Sequence, residues 1–533
     1  MLNYQQEELK DQLTNFINSK DKGFFGVLGA GGTGKTYTIC QTIKNPKNVL
    51  FLGATNKVCG VLKQGLINNG YTPQELTIKT IDSFLSFKMK KDHNNRTVIT
   101  RKLPAEKNIP NIIVIDEVSL IHSSSFEYLM KLKNKRKFIL IGDDRQIPPI
   151  EDKESMERNA EGFQVSKIFN QLDWSYTLTI QQRQKEGSQL KVLIAGFRDN
   201  MHRGFSYQYM AETKANNVDI FCFDINSKEL KDLIRSKEPM AVCFKNLTCL
   251  SLAWVIGSTR TNNKGYRVNE LNVGDKVFFD GYYRREDTVF YTSEEVIIRD
   301  IEPFIEDEID VGDIKPAYYN YKKLLVEKDD GSFVIVYSGN GYNETLQPIK
   351  YRIDRVVEKL NKQINISTNN ARKWILRKQI ADLHTSYEDL KIGFATLKKT
   401  FSITAHKSQG STYDDVLIPI YDFASRIPQD SAQLLYVAMS RAKKNIYFIT
   451  KKSNFKDNNN RYSFTEVERM GVASLQNFKC NICNCDLDTS RDFDVDHAIP
   501  LANGGRNTLD NLQALCKECH KTKTINEKYE RTI

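Results

Sequence analysis

Eight residues constrain this chain more than any others: Gly29-Ala30-Gly31-Gly32-Thr33-Gly34-Lys35-Thr36. They follow an apolar run at 24–28 and open a helical pattern. Glycines at such a junction let backbone N–H groups curl around phosphate oxygens at a helix N-terminus. On that reading Gly29, Gly31, Gly32, Thr33 and Gly34 cradle a nucleoside triphosphate, Lys35 reaches its β and γ oxygens, and Thr36 ligates Mg²⁺. The glycines at 29, 31 and 34 also satisfy the dinucleotide pattern. That pattern needs an acidic residue about 20 positions later to hold a ribose. The next strand runs out into Gly53-Ala54-Thr55-Asn56, with no acid.

A phosphate loop needs a carboxylate site on a neighbouring strand. Asn111-Ile112-Ile113-Val114-Ile115-Asp116-Glu117 supplies one, with Asp116 placed to hold Mg²⁺ and Glu117 to polarise an attacking water. Further apolar runs at 49–52, 138–141, 240–244, 416–420 and 446–449 alternate with helix signals. Buried strands alternating with helices imply doubly wound parallel sheets. With 533 residues, two to four domains are expected, and two of them are α/β lobes of this kind.

Between 83 and 104 the pattern changes to two short strand-like runs flanking Asp92-His93-Asn94-Asn95, which reads as a protruding β-hairpin. Strand-like segments from 262 to 398 predict an inserted small β-barrel with helical additions. The polar stretch 453–470 reads as a linker. There is no apolar run of 18 residues, so no transmembrane helix is expected. The first residues lack the basic-then-apolar order of a secretory signal, so a cytosol-like compartment is expected.

The net charge of +11 points to a polyanionic partner. From Gly471 onward eight Lys/Arg face nine Asp/Glu, so the positive excess lies entirely in the N-terminal part. Cysteines are uneven as well: five of the ten, Cys480, Cys483, Cys485, Cys516 and Cys519, lie beyond residue 479. Without a secretory signal, that clustering reads as metal rather than disulfides. The pairs Cys480-x₂-Cys483 and Cys516-x₂-Cys519 suit a closed tetrahedral Zn²⁺ site, with Cys485 spare.

Asp116-Glu117-Val118-Ser119 and Gly142-Asp143-x-x-Gln146-x-Pro148-Pro149 resemble the second and third motifs of superfamily 1 DNA helicases, in the form of the RecD/Dda branch. The resemblance covers about residues 1–452. It implies two RecA-like P-loop lobes, at 1–175 and at 176–261 with 399–452, carrying the hairpin (85–104) and the barrel (262–398) as insertions. It implies ATP and Mg²⁺ as cofactors and 5′→3′ movement on single-stranded and forked DNA. Gln6 would read adenine and Gln146 would sense the γ-phosphate. Arg183, in Gln181-Gln182-Arg183, and Arg441, in Ser440-Arg441-Ala442, would be arginine fingers. Thr404-Ala405-His406-Lys407-Ser408-Gln409-Gly410-Ser411-Thr412 resembles the fifth motif, with Gln409 and Gly410 on the nucleotide side. Thr55, Asn56, Thr80, His406, Lys407 and Thr412 would contact DNA, the hairpin would be the strand-splitting pin, and Phe84 or Phe87 could stack on bases.

Between the cysteine pairs stands Val495-Asp496-His497-Ala498-Ile499-Pro500, followed by Asn511 and by Cys519-His520-x-x-Lys523. This resembles the HNH endonuclease family in its cysteine-bearing form, a zinc-stapled ββα-metal domain at 471–533. The resemblance implies His497 as general base, with Asp496 and His520 holding Mg²⁺, Mn²⁺ or another divalent ion. Asn511 would orient His497 or join the metal shell. Two other readings stay open: a translocase whose zinc module only binds DNA or a partner, and an RNA helicase.

Overall fold

The computed structural model describes residues 2–86, 88–100, 102–148, 157–158, 162–184, 187–201, 220–225, 227–303, 305–309, 317–339, 346–423, 428–450, 464–487, 493–506 and 509–530. Phe87, Pro149 and positions 453–463 of the expected linker lie outside the described residues.

The first lobe contains α1 (Tyr4–Asn18), β1 (Gly23–Gly29), α2 (Lys35–Thr42), β2 (Val49–Gly53), α3 (Asn56–Asn68), β3 (Thr77–Thr80) and α4 (Ile81–Phe84). The hairpin β4 (Lys88–Lys91) and β5 (Thr97–Thr100) follows, then β6 (Ile112–Asp116), α5 (Ser123–Met130) and β7 (Lys137–Gly142). After a small ribbon of β8 (Glu157–Arg158) and β9 (Gln164–Val165), β10 (Trp174–Leu178) completes the lobe. Its sheet is parallel in the order β10-β1-β7-β6-β2-β3. Every residue of β2 and of β7 is buried, because helices cover both faces of the sheet. The sheet reaches Leu178, so the expected lobe boundary at 175 cuts through its edge strand.

The second lobe begins with α6 (Gln189–Asn200), β11 (Ile220–Asp224), α7 (Lys228–Lys237), β12 (Met240–Cys243) and α8 (Asn246–Thr261). The chain then leaves for the insertion: β13 (Lys276–Phe279), β14 (Tyr283–Arg285), β15 (Thr288–Phe290), β16 (Glu295–Ile301), β17 (Ile305–Ile309), β18 (Ala317–Glu327), β19 (Phe333–Gly339), α9 (Gln347–Ile366), α10 (Asn370–Ile392) and β20 (Leu397–Lys399). Antiparallel pairing runs β20-β13-β16-β18-β19, and a bridge from Ser338 to Ala395 closes the ring. Val277, Phe279, Phe290, Ile298, Leu324 and Val336 fill it. The helical addition reaches back to the first lobe, where Thr385 of α10 accepts from the Lys91 amide of β4 at 3.3 Å. The chain re-enters the second lobe with β21 (Ser402–Thr404), α11 (Ala405–Ser408), β22 (Tyr413–Pro419), α12 (Pro428–Ser440) and β23 (Ala442–Thr450). Its parallel sheet has the order β11-β23-β22-β12-β21.

The C-terminal module holds α13 (Glu466–Leu475), the antiparallel pair β24 (Phe493–His497) and β25 (Leu512–Cys516), and α14 (Lys517–Glu530). Here the linker expectation is corrected. Residues 466–475 form a helix, started by a capping box between Thr465 and Glu468. Met470, Val472 and Ala473 share one core with Leu250 of α8 and with Phe493, Ala514 and Leu515 of the module. Gly471 allows the close crossing, since a Cβ there would stand 3.3 Å from the Ser251 Cα. Among the described residues no helix is long and apolar enough to cross a membrane.

Candidate functional site: a nucleotide cleft, a polymer track and a metal-stapled module

The phosphate loop sits between β1 and α2 with Gly29, Gly32 and Gly34 at positive φ, a backbone course that only glycine takes without strain. Lys35 lies across it, its ammonium donating to the carbonyls of Gly29 and Ala30 at 2.7 and 3.0 Å. The Thr36 hydroxyl donates to Asp116 Oδ2 at 2.8 Å. Burial and the adjoining Glu117 push the Asp116 carboxyl up to about 6, so its charge calls for a cation. This Thr–Asp pair, a hydroxyl beside a buried carboxylate, is a donor set that fits Mg²⁺.

Gln6 is buried against the loop, but both ends of its carboxamide are engaged. Its Nε2 donates to the Thr33 carbonyl at 3.1 Å, and its Oε1 caps the Asn3 amide at 3.0 Å. It therefore braces the loop from α1. Gln5, which the sequence did not single out, accepts from the amides of Thr179 and Ile180. That holds the segment leading to Arg183.

Both expected fingers arrive at the loop. A Cβ built on Gly31 would lie 3.6 Å from Arg183 Nη1 and 3.7 Å from Arg441 Nη2. Arg183 donates to the Ser440 carbonyl, and Gln181 donates to the Gly31 carbonyl at 2.7 Å. Burial and the neighbouring Arg441 lower the Arg183 guanidinium to about 10, still charged at neutral pH. Arg441 is 2% exposed and is held by Val437, Ser440 and the Ser411 carbonyl.

A second cross-lobe contact centres on Asp143, which is fully buried. Tyr436 of α12 donates to it at 2.7 Å, Arg198 of α6 at 3.2 Å and the Arg145 amide at 3.1 Å. Burial alone would raise this carboxyl; Arg198 and then Lys35 outweigh it and hold the group below the usual carboxylate range. Gln146 stands beside it. Gln409 reaches Gln146 Oε1 at 3.5 Å and the Ile147 carbonyl at 3.1 Å, and Gln433 reaches the Gln146 carbonyl at 3.5 Å. Gln409 thus meets the Gln146 segment rather than the phosphate loop.

The expected track residues occupy helix starts at the C-terminal ends of strands. Thr55, Thr80 and Thr404 each cap a helix, accepting from Val58, Ser83 and Lys407. An N-capping hydroxyl accepts with its oxygen and keeps its hydrogen, so it can still donate to a phosphate oxygen. Asn56 opens α3, and Lys57 beside it bridges to Ser411 of the other lobe at 2.6 Å. His406 sits near Phe244, with ring centroids 6.4 Å apart, and burial lowers its pKa. Lys407 is tied to Asp280 of the barrel, which also holds Lys398 at 2.9 Å. Thr412 is exposed.

In the module, the ligand atoms of Cys480, Cys483, Cys516 and Cys519 all lie within 4.8 Å of one another, a donor set that fits tetrahedral zinc. Cys485 is outside the set. Asp494 and Asp496, two apart on β24, face α14. Asp496 and His520, the expected ligands of a divalent ion, each have a partner of their own. Asp496 pairs with Lys523 at 2.7 Å and His520 Nδ1 with Asp494 at 3.2 Å, because α14 places residues 520 and 523 one turn apart along the strand. Asp494 was not anticipated. His497 ends β24 with its ring 6.5 Å from that of Phe464. Asn511 secures the loop that follows it. Its carboxamide bonds Ile499 N and O and the Arg506 carbonyl at 2.8–2.9 Å, satisfying the backbone of the loop after His497.

Two α/β lobes, with arginines of the second brought to the phosphate loop of the first, define a nucleotide-driven motor, here with a ββα module that carries a four-cysteine cluster. Family profiles match in the same places: an AAA domain over residues 14–152, a UvrD-like helicase C-terminal domain over 399–449 and an HNH endonuclease over 480–525. An uncharacterized protein of Acanthamoeba polyphaga mimivirus is 25% identical over 510 residues, covering 84% of this chain and 100% of that protein. Another, from Methanocaldococcus jannaschii, is 22% identical over 537 residues, covering 89% of this chain and 40% of its own length. Among solved structures, the Pif1 helicase from Bacteroides in complex with ADP-AlF3 and ssDNA is 16% identical with a TM-score of 0.41, covering 84% of this chain and 92% of that one. The Pif1 helicase from Candida albicans is 15% identical at 0.39, covering 85% and 95%. The chain is thus a helicase-type motor with an AAA domain and a UvrD-like helicase C-terminal domain, and it carries an HNH endonuclease domain at its C-terminus.

Proposed function

We propose that this motor hydrolyses ATP to move 5′→3′ along single-stranded DNA and open forked duplexes, and that its HNH domain hydrolyses DNA. The convergence of Arg183 and Arg441 on Gly31 carries the motor reading, because it completes a phosphoryl-transfer site only when the lobes are together. Thr36 and Asp116 would hold Mg²⁺, which when bound would supply positive charge at the phosphates. Glu117 orients the water, Lys35 and the loop amides bind the oxygens, and the two guanidiniums stabilise charge that builds in transfer. Asp143, Tyr436 and the glutamines tie lobe closure to the same cleft.

In the module a divalent ion would be held by Asp496 and His520, with Lys523 yielding its place on Asp496. His497 takes a proton from water, the hydroxyl adds to phosphorus, one P–O ester bond breaks, and the leaving oxygen gains a proton. DNA is favoured as the polymer because an HNH endonuclease domain shares the chain; no observation favours RNA, and the work belongs to the compartment that holds the DNA. Forked duplexes with 5′ or 3′ single-stranded tails, in DNA and in RNA, test the motor half. Unwinding of the 5′-tailed DNA fork is expected, and preference for a 3′ tail or for RNA would overturn polarity or substrate. Nicking of plasmid with Mg²⁺ or Mn²⁺ tests the nuclease half against a purely DNA-binding module.

A further inference from the structure

The HNH module is built onto the second lobe rather than tethered to it, and this decides which DNA it meets. The inference rests on the nuclease reading above and names the substrate strand. Its foundation is one apolar core drawn from three sources: Leu247, Leu250 and Trp254 of α8, Met470 and Val472 of α13, and Phe493 and Leu515 of the nuclease strands. Polar contacts lock the same junction. Arg469 of α13 donates to the Phe493 carbonyl and lies 3.4 Å from Asp494. Gln476 bonds both the amide and the carbonyl of Ala514, at 2.7 and 3.0 Å. The strand that carries Asp494, Asp496 and His497 is therefore fixed from behind by a helix whose other face is fixed to the motor.

The place of docking lies beside the polymer track. Helix α8 starts at Asn246, just after Phe244 and Lys245, whose amides are held by Asp422 at 2.6 and 2.9 Å. Phe244 neighbours the track residue His406. The docking residues Leu247 to Trp254 occupy the next two turns, so the whole junction lies within about 12 Å of the helix start, at 1.5 Å per residue. One cavity is lined at once by the helix cap Thr404 and the track residue Lys407, by Lys398 of the barrel and by Leu475 and Leu509 of the module. Leu509 lies in the loop between His497 and Asn511, so the nuclease loop and the track face a common space. The module has no net positive charge with which to hold DNA by itself. The basic motor supplies that hold.

We propose that the HNH site acts on the strand held by the second lobe and cuts it at a set distance from the motor's grip. Hydrolysis consumes one water per break, as above, and needs no further reactant. The test uses the full chain on a 5′-tailed DNA fork, stalled with a non-hydrolysable ATP analogue in Mn²⁺ and end-labelled on either strand. Breaks are expected in a window of a few nucleotides on the tailed strand only. In a parallel arm, thymidines of that strand are replaced one at a time by a photoreactive analogue. Crosslinks to the peptide 493–520 are expected at least tenfold more from the same window than from elsewhere. Leu250→Asp, which breaks the seat but touches neither active site, should disperse the crosslinks while DNA-stimulated ATP hydrolysis persists; retained zinc shows that the module stays folded. Breaks on the complementary strand, or crosslinks spread along the DNA with the native chain, overturn the seating. Confined crosslinks without any break support the seating and sink the nuclease reading; scattered breaks do the reverse.

Discussion

The buried Asp143 is the point at which closure of the two lobes can be weighed. Arg198→Met removes its main counter-charge and keeps the bulk of the aliphatic stem. Breaking one side of a fully buried pair costs about 3–5 kcal/mol. Arg198 is 20% exposed, and Asp143 keeps the Tyr436 hydroxyl and the Arg145 amide, so the cost falls below that range, to about 2–3 kcal/mol. Arg198 and Tyr436 come from the second lobe and Asp143 from the first, so the loss falls on the closed arrangement. Closure should become about 30- to 150-fold less favourable, at about 1.4 kcal/mol per tenfold. Arg183 and Arg441 reach Gly31 only across the same junction, so kcat for DNA-stimulated ATP hydrolysis should fall by that factor. Nucleotide affinity should change little, since Lys35 and the loop are untouched. Steady-state hydrolysis, nucleotide titration and a double-mutant cycle with Tyr436→Phe measure each part. Turnover within threefold of native, or a loss confined to nucleotide binding, would refute the reasoning.

Three other outcomes follow from the site. Glu117→Gln should abolish DNA-stimulated hydrolysis, and Arg441→Ala should lower it about 10³-fold, as for a residue acting on transition-state charge; near-normal turnover in Arg441→Ala would remove it from the machinery. His497→Ala should abolish nicking and leave ATP hydrolysis and fork unwinding intact, because the described sites share no side chain; residual cutting at the native rate would place the base elsewhere. Strong chelation or Cys480→Ser should unfold residues 476–530 first, visible as accelerated amide exchange there, since so small a domain depends on its metal staple; unchanged exchange would contradict a structural zinc.

The motifs were readable from sequence because each is a local solution to a local demand. Gly29, Gly32 and Gly34 are required where the backbone takes positive φ, and Asp116 must end a buried strand to face Thr36. Partners that meet across the lobes were not readable. Tyr436 finds Asp143 and Gln409 finds Gln146 over separations of 293 and 263 residues, and nothing in either neighbourhood encodes the other. Asn511 shows the same limit at short range. Its presence was clear, but the bonds its carboxamide makes to the loop depend on how the chain after His497 folds back toward Gly505. A side chain at Gly505 would meet the Ile499 carbonyl at 2.0 Å, so the loop closes tightly on itself and needs Asn511 to satisfy it.

The misread linker has a more specific cause. The polar run ahead of α13 stands directly against a helix start that the sequence does announce. Thr465-x-x-Glu468 is a capping-box pattern, followed by Val467, Met470, Val472 and Ala473, and the structure shows both of its reciprocal bonds. A helix of 10 residues is too short to be stable alone in water, so it persists only by burying both faces. One face has the nuclease strands to cover it. The other must find an apolar surface, and Leu247, Leu250 and Trp254 on α8 provide it. That α8 is apolar on the side away from its own sheet was visible in the run 250–256, and it makes sense only if something permanent sits there. The motor and nuclease are therefore joined by a shared core, and variants at that core should alter where DNA is cut before they alter whether ATP is hydrolysed.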